Sequence, residues 1–295
     1  MNRKILFLIS TFAFLFPCSI NAQIEFEYSY EGTTLNYQVI DESSRTCAVA
    51  YYSNEIFPNI KGDVILPAYP IFQDTKYNLI EINGGAFLKC NKLTSITIPE
   101  GVTKIGGGAF VNCPRLASAH FPESLTLIGS CAFELCGITS IIIPNNVTTI
   151  EASAFITCKQ LTSITLPEGI TTIDVRAFGN STNIKEIVYN SFNPVTADEN
   201  IFDDEIYSAA TLYIPKGTLE KYRATVPWNR FLKIEYSDYS SVNQINAETK
   251  EEIDYKFPYQ LYNTTGALVG GDINSAAPGL YIIRQGSIAN KIIVP

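Results

Sequence analysis

The dipeptide Ala-Phe recurs through the middle of this 295-residue chain, at Ala86-Phe87, Ala109-Phe110, Ala132-Phe133, Ala154-Phe155 and Ala177-Phe178, in steps of 23, 23, 22 and 23 residues. The same string returns around each pair. One copy reads Ala86-Phe87-x-x-Cys90-x-x-Leu93-x-x-Ile96-x-Ile98-Pro99-x-x-Val102-x-x-Ile105. Another reads Ala154-Phe155-x-x-Cys158-x-x-Leu161-x-x-Ile164-x-Leu166-Pro167-x-x-Ile170-x-x-Ile173. Self-similarity at a fixed period constrains a fold more tightly than any local pattern. Each unit must take the same shape, and each must rest on its neighbours.

The spacing inside the unit sets its path. In Leu-x-x-Ile-x-Ile-Pro two apolar residues alternate with one polar residue, which predicts a short strand with one buried face. Pro99, Pro122, Pro144 and Pro167 end these strands, since proline cannot donate to a ladder. A second short apolar pair follows, as at Val102 and Ile105. Gly101, Gly129 and Gly169 stand near the bends, where positive φ is expected. Ala-Phe-x-x-Cys-x-x-Leu is apolar every third residue and predicts a tight helical or 3₁₀ turn. One such coil cannot bury its own apolar edge, so coils stack and equivalent residues form ladders. Phe87, Phe110, Phe133, Phe155 and Phe178 are expected to form one ladder, and Ile96, Ala119, Ile141, Ile164 and Ile187 another. The expected rise is about 4.8 Å per coil. The fold class is therefore a mainly β repeat solenoid.

Degraded copies flank the clear ones. Leu79-Ile80-Glu81-Ile82 leads in, and Ile201-Phe202 takes the Ala-Phe place downstream. Thr211-Leu212-Tyr213-Ile214-Pro215 repeats the strand and proline, and Lys216 to Ile234, with Tyr222, Trp228 and Phe231, breaks the pattern. Terminal coils must cover an open core, so irregular ends are expected. With these residues in view, the string resembles the BspA-like leucine-rich repeats of surface and secreted bacterial proteins. Gly62-Asp63-Val64-Ile65-Leu66-Pro67 resembles the family's entry strand. Leu212 to Gly217, with Tyr222 and Trp228-Asn229-Arg230-Phe231, resembles its closing coil. The resemblance covers roughly residues 60 to 236. It implies a right-handed solenoid with an interaction surface and names no ligand.

The ends carry separate signals. Arg3 and Lys4 precede an apolar stretch from Ile5 to Phe16, and Ala22 offers a small residue before a cut, so residues 1–22 read as a secretory signal. The stretch is too short to span a bilayer, which takes about 20 residues. Cys18 follows Phe16-Pro17 rather than the small residue a lipid-anchored cysteine needs. Residues 23–76 read as a β cap: Phe26, Tyr28, Tyr30, Leu35, Tyr37 and Val39 alternate with polar residues around a turn at Glu31-Gly32. The repeats and closing coil occupy 77–236, and the polar stretch 237–250 reads as a linker. Residues 251–295 hold Tyr262-Asn263-Thr264-Thr265-Gly266, Pro278-Gly279-Leu280-Tyr281-Ile282 and Lys291-Ile292-Ile293-Val294. This segment resembles the C-terminal sorting domain of the type IX (Por) secretion route of Bacteroidetes. That resemblance implies export to the surface or beyond, and a periplasmic protein if the tail does not work as a signal.

Candidate chemistry is sparse. The chain has 21 basic and 29 acidic residues and no basic cluster, which excludes a nucleic-acid partner. Cys90, Cys113, Cys136 and Cys158 each stand three residues after a repeat Phe. That spacing fits no zinc site and reads as a buried ladder of small side chains. Cys47 and Cys131 fall outside the ladder and stay unassigned. His120, the one histidine, aligns with Thr97, Ile142, Thr165 and Val188 on the outward side of the first strand, and a nucleophile within reach would be needed to give it catalytic work. Asp198-Glu199 and Asp203-Asp204-Glu205 lack the spacing of a calcium loop. Gly106-Gly107-Gly108 lacks the Lys-Ser/Thr of a phosphate loop. No catalytic residue, metal or cofactor is assigned. The outward row Thr97, His120, Ile142, Thr165, Val188 and Tyr213 is uncharged and partly apolar. It reads either as a ligand-contacting stripe or as ordinary β surface. The expectation is a non-enzymatic exported protein that binds a protein or a carbohydrate. The alternatives are an envelope scaffold and an enzyme with its site in the cap. Oligomeric state is not legible.

Overall fold

A computed structural model describes residues 24–50, 60–237, 260–263, 268–270, 279–285 and 288–294. The expected leader and most of the expected linker lie outside these residues. The fold is mainly β, and its only helices among the described residues are α1 (Asp204–Ala209), α2 (Leu219–Ala224) and a 3₁₀ turn at Trp228–Arg230.

The chain enters through an antiparallel meander of β1 (Glu25–Tyr30), β2 (Thr33–Asp41) and β3 (Thr46–Val49). Tyr30 pairs with Thr33 across a two-residue turn in which Glu31 and Gly32 both take positive φ, the geometry that matches strand twist in a tight hairpin. Phe26, Leu35, Tyr37 and Val39 turn inward. Phe26 stacks on Tyr37 at 5.5 Å and on Phe72 at 4.9 Å, closing the N-terminal end of the core. Phe72 comes from a small hairpin of β5 (Ile71–Phe72) and β6 (Thr75–Lys76).

Each coil then contributes to two parallel sheets. The first-strand series is β4 (Lys61–Ile65), β8 (Lys92–Thr97), β10 (Ser118–His120), β12 (Ser140–Ile142), β14 (Ser163–Leu166), β16 (Glu186–Tyr189), β17 (Thr211–Ile214) and β18 (Lys233–Tyr236). The second-strand series is β7 (Asn78–Ile82), β9 (Lys104–Ile105), β11 (Leu127–Ile128), β13 (Thr149–Ile150) and β15 (Thr172–Ile173). The second series joins the meander in one eight-stranded sheet through the parallel pair β3–β7. The first series divides into β4-β8-β10 and β12-β14-β16-β17-β18. The division falls at the 22-residue coil. Cys136-Gly137-Ile138 is one residue shorter than Cys113 to Leu116, and a Cβ on Gly137 would stand 2.3 Å from the Pro114 carbonyl oxygen. Only glycine permits the shortened path.

The Ala-Phe segment is the third side of each coil. Repeat Phe N–H groups donate to the Ala carbonyl of the next coil at 2.7 Å, from Phe87 to Ala109 through Phe155 to Ala177. The rings of Phe87, Phe110, Phe133, Phe155, Phe178 and Phe202 stack with centroids 4.9–5.4 Å apart and planes within 16°. That separation matches the expected rise and sets stacking geometry worth about 0.5–1.5 kcal/mol per pair beyond burial. The segment is a run of tight turns with 3₁₀-type bonds rather than a regular helix. Its bonds run three residues back, as from Cys90 N–H to the Phe87 carbonyl. Left-handed residues interrupt it before each Ala (Gly85, Gly108, Cys131, Ser153, Arg176) and two after each Phe (Lys89, Asn112, Leu135, Thr157, Asn180). Cys131 is thus a turn residue in a slot that glycine fills twice. Of the three bend glycines, Gly101 takes positive φ. Gly129 is needed for close approach instead, since a Cβ there would meet Gly107 N at 2.7 Å and Ile105 O at 2.8 Å. In the third coil Ala119 is only partly buried, and Phe121 leans on Phe133 at 5.6 Å, filling part of the space a larger residue occupies elsewhere.

The closing coil seals the far end. The Tyr222 hydroxyl lies 2.9 Å from the carbonyls of Tyr189 and Ser191, Trp228 Nε1 donates to Val195 O at 2.7 Å, and Phe231 packs edge-on against Tyr207 at 5.0 Å. Further along, Gln260–Asn263, Leu268–Gly270, Gly279–Gln285 and Ile288–Val294 form a four-stranded antiparallel sheet with the last two strands paired along their whole length. No helix among the described residues is long and apolar enough to cross a membrane.

Candidate functional site: the first-strand face

Strand alternation turns every second residue of the first-strand series outward. The register brings Ile65, Thr97 and His120 into one row and Ile142, Thr165, Val188, Tyr213 and Glu235 into its continuation. All six residues singled out in the sequence lie in this row, and the structure extends it at both ends. Ile65 was visible in the alternation of Asp63-Val64-Ile65, and Glu235 was hidden because the last coil lacks the repeat string. Ile142 is 60% exposed and Ile65 49% exposed, which is high for side chains of this kind. The row is interrupted where β10 and β12 do not pair.

A second outward row was missed. Asp63, Ser95 and Ser118 stand in register, as do Ser140, Ser163, Glu186, Thr211 and Lys233. The recurring Ser two places before Thr97, His120, Ile142 and Thr165 was the available signal. The face is therefore a double row, with small hydroxyls beside a mixed apolar and polar line. The Asp63 carboxylate accepts from Ser95 Oγ at 2.7 Å and Thr94 Oγ1 at 2.8 Å, and these bonds hold its carboxyl below the ordinary range. Tyr213 is pushed above its ordinary value by loss of water and then by the carboxylates of Glu235 and Glu186. Thr162 Oγ1 donates to the Thr139 carbonyl at 3.0 Å, so part of the hydroxyl content serves the coil's own backbone.

His120 is exposed and its Nε2 lies 3.1 Å from Ser118 Oγ on the same strand. A serine–histidine contact needs a third group to orient the ring and a sheltered position for the substrate. Among the described residues no carboxylate bonds to this ring, and the contact lies on an open strand surface. The cysteine ladder lies elsewhere: the thiols of Cys113, Cys136 and Cys158 donate to the carbonyls of Phe87, Phe110 and Phe133, each at 3.1 Å, and Ser181 Oγ donates to Phe155 O at 2.8 Å from the equivalent slot. Burial pushes the thiols of Cys90 and Cys158 up to about 12. Both are protonated under ordinary conditions. The six described cysteines are free.

In the cap, burial likewise pushes Cys47, on β3, up to about 12. Asp41 is held at about 2 by the hydroxyls of Ser44 and Ser43. A buried neutral thiol and a turn-capping carboxylate do not form a nucleophile and base. The acidic residues near the closing coil are also engaged. Asp198 accepts from Asn200 N at 2.8 Å, Asp203 accepts from Asn180 N, and Asp204 pairs with Arg230 at 2.6 Å beside the Tyr207 ring.

Stacked coils of this length, with an alternating first strand, a proline stop and a phenylalanine ladder, decide the architecture. The fold is a leucine-rich-repeat solenoid. Residues 80–207 match a BspA type leucine rich repeat region in six copies. Among solved structures, the pneumococcal vaccine antigen PcpA is similar with a TM-score of 0.51 at 17% identity, over 72% of this chain and 47% of that one. The leucine-rich-repeat protein of T. pallidum aligns with a TM-score of 0.47 at 19% identity, over 69% of this chain and 96% of that one. A leucine-rich-repeat protein from Bacteroides ovatus aligns with a TM-score of 0.36 at 22% identity, over 68% of this chain and 60% of that one. No curated protein matches this sequence.

Proposed function

We propose that the protein is exported and binds another macromolecule, a host protein or a glycan, through the double row on its first-strand face. The row Thr97, His120, Ile142, Thr165, Val188 and Tyr213 supplies the contacts. The observation that supports this reading most is the exposure of Ile65 and Ile142 in the two in-register halves of the row, which carry no charge before Glu235 at its end, where a surface serving only solubility would carry charge. Repeat proteins commonly use such extended faces. The signal-like stretch at residues 1–22 and the tail at 251–295 support export, and PcpA being a vaccine antigen is in keeping with display outside the cell. A scaffold without a dedicated ligand is the second reading, favoured by the threonine hydroxyls spent on backbone carbonyls of the coil before. A screen of the purified protein against a glycan array and a panel of extracellular-matrix proteins separates the two. Saturable binding to one class supports the first, and none above background supports the scaffold. Deleting residues 251–295 and following the protein by cell fractionation tests export: an unchanged location removes the sorting role of the tail.

A further inference from the structure

The second-strand sheet lacks one rung. The carbonyls of Ile82, Ile105, Ile128 and Ile150 accept from Gly106, Gly129, Glu151 and Asp174 of the following coil at 2.8–2.9 Å. Ile173 is next in this series, and no backbone N–H among the described residues fills its carbonyl, because β15 is the last strand of its sheet. Thr172 N–H faces β13, donating to Thr148 O at 3.0 Å, and alternation turns both backbone groups of Ile173 to the side on which no strand pairs, where the residue is 3% exposed. The Thr171 carbonyl, equivalent to that of Thr148, completes an acceptor–donor–acceptor edge. The cause is in the sequence. The sixth coil carries Pro194, which has no N–H, and takes one more residue than its predecessor between its first strand and its Ala-Phe place. The phenylalanine ladder and the first-strand sheet continue past this point, so the gap is local.

A shallow, largely open groove lies along this edge. One wall is Thr171, Ile173 and Asp174, and the other is Thr196 and Asp198. The second wall is braced: Ala197 N donates to Val226 O at 3.1 Å and Val195 O receives the Trp228 indole at 2.7 Å. The lining holds two carboxylates and no basic side chain. Asp174 makes no side-chain hydrogen bond or ion pair among the described residues.

We propose that this groove binds an extended peptide segment of a partner protein, which adds as a strand to β15 and sets a lysine or arginine against Asp174 and Asp198. Peptide amides match the acceptor–donor–acceptor edge, and the carboxylates select a cation. The groove lies on the other sheet from the row Thr97 to Tyr213, so either surface can fail without the other. The test presents the full chain with a bead library of acetyl-Xaa-Xaa-Lys-Xaa-Xaa-amide and its Glu-centred counterpart. The expected result is at least tenfold selection for the lysine library, lost in Asp174→Asn/Asp198→Asn with melting unchanged. The best binder should slow hydrogen exchange at the Ile173 amide at least tenfold, and N-methylating its backbone should abolish binding. If the double variant does not fold, the exchange and N-methylation results on the wild type decide. Equal selection of the two libraries overturns the proposal, as does selection that survives in a folded double variant. An Ile173 amide already protected in the free protein also overturns it. Protection independent of concentration then points to a segment of this chain, and protection that grows with concentration points to a second copy.

Discussion

The cysteine slot shows what one side chain does when it recurs in every coil. The buried carbonyls of Phe87 and Phe133 accept the backbone N–H of Cys90 and Cys136, and the thiol of the following coil adds a second donor, while the Phe110 carbonyl accepts the Cys136 thiol. Cys113→Ala removes one of the two donors to the Phe87 carbonyl and should therefore cost about 0.5–1.5 kcal/mol, the net worth of one hydrogen bond, with a further loss from the cavity. Cys113→Ser should cost less, as Ser181 already serves in that position. Urea unfolding of the two variants checks the order. The same burial predicts a pH response. Cys47, Cys90 and Cys158 rise from 9.0 to about 12 in the folded chain. The folded chain keeps protons that the unfolded chain loses, so stability is full below pH 9 and falls as pH rises toward 12. The slope is up to about 1.4 kcal/mol per pH unit for each thiol. Thermal midpoints recorded from pH 8 to 11 should fall, and replacing the three thiols by serine should flatten the decline. The burial of this ladder was legible in the spacing alone. The donated bond was not, because a repeat pattern fixes which residues align and says nothing of which carbonyl faces them.

At the level of the strand and turn, glycine positions separate two kinds of constraint. Gly129→Ala places a Cβ 2.7 Å from Gly107 N, against backbone that cannot yield cheaply, and should cost more than about 3 kcal/mol or prevent folding. Gly32→Ala adds a Cβ with open space around it at φ +77°, so only the left-handed backbone is penalised, by about 1–2 kcal/mol. Chemical denaturation of both variants distinguishes them. The strands, their proline stops and the Glu31-Gly32 hairpin were all legible, since period-two alternation and turn chemistry act locally. The Ala-Phe segment was read as helical or 3₁₀, and three-residue spacing alone does support that. What keeps these turns from running on as a regular helix is the left-handed residue on either side, which the sequence marks as glycine only at Gly85 and Gly108. The split between β10 and β12 follows from one missing residue, and its effect on pairing depends on the neighbouring coil.

On the scale of the whole chain, stability is a sum over coils and the contacts between them. Phe133 sits in the middle of the ring stack, so Phe133→Ala should cost about 3–5 kcal/mol and uncouple the two halves, seen as a broadened denaturation curve. The ends had to be irregular, and the sequence marked them so. It did not show that the entering meander continues the second-strand sheet through β3 and β7, because that pairing joins distant segments. The central claim is that the first-strand face is where the protein meets its partner. Ile142→Asp, Thr165→Asp and Val188→Asp in one variant add three charges to outward positions and leave the buried rows untouched. Titrating the ligand found by the array and matrix screen against wild type and this variant is the most direct test. At least a tenfold loss of affinity with an unchanged melting temperature is predicted. Equal affinity for both proteins would contradict the account.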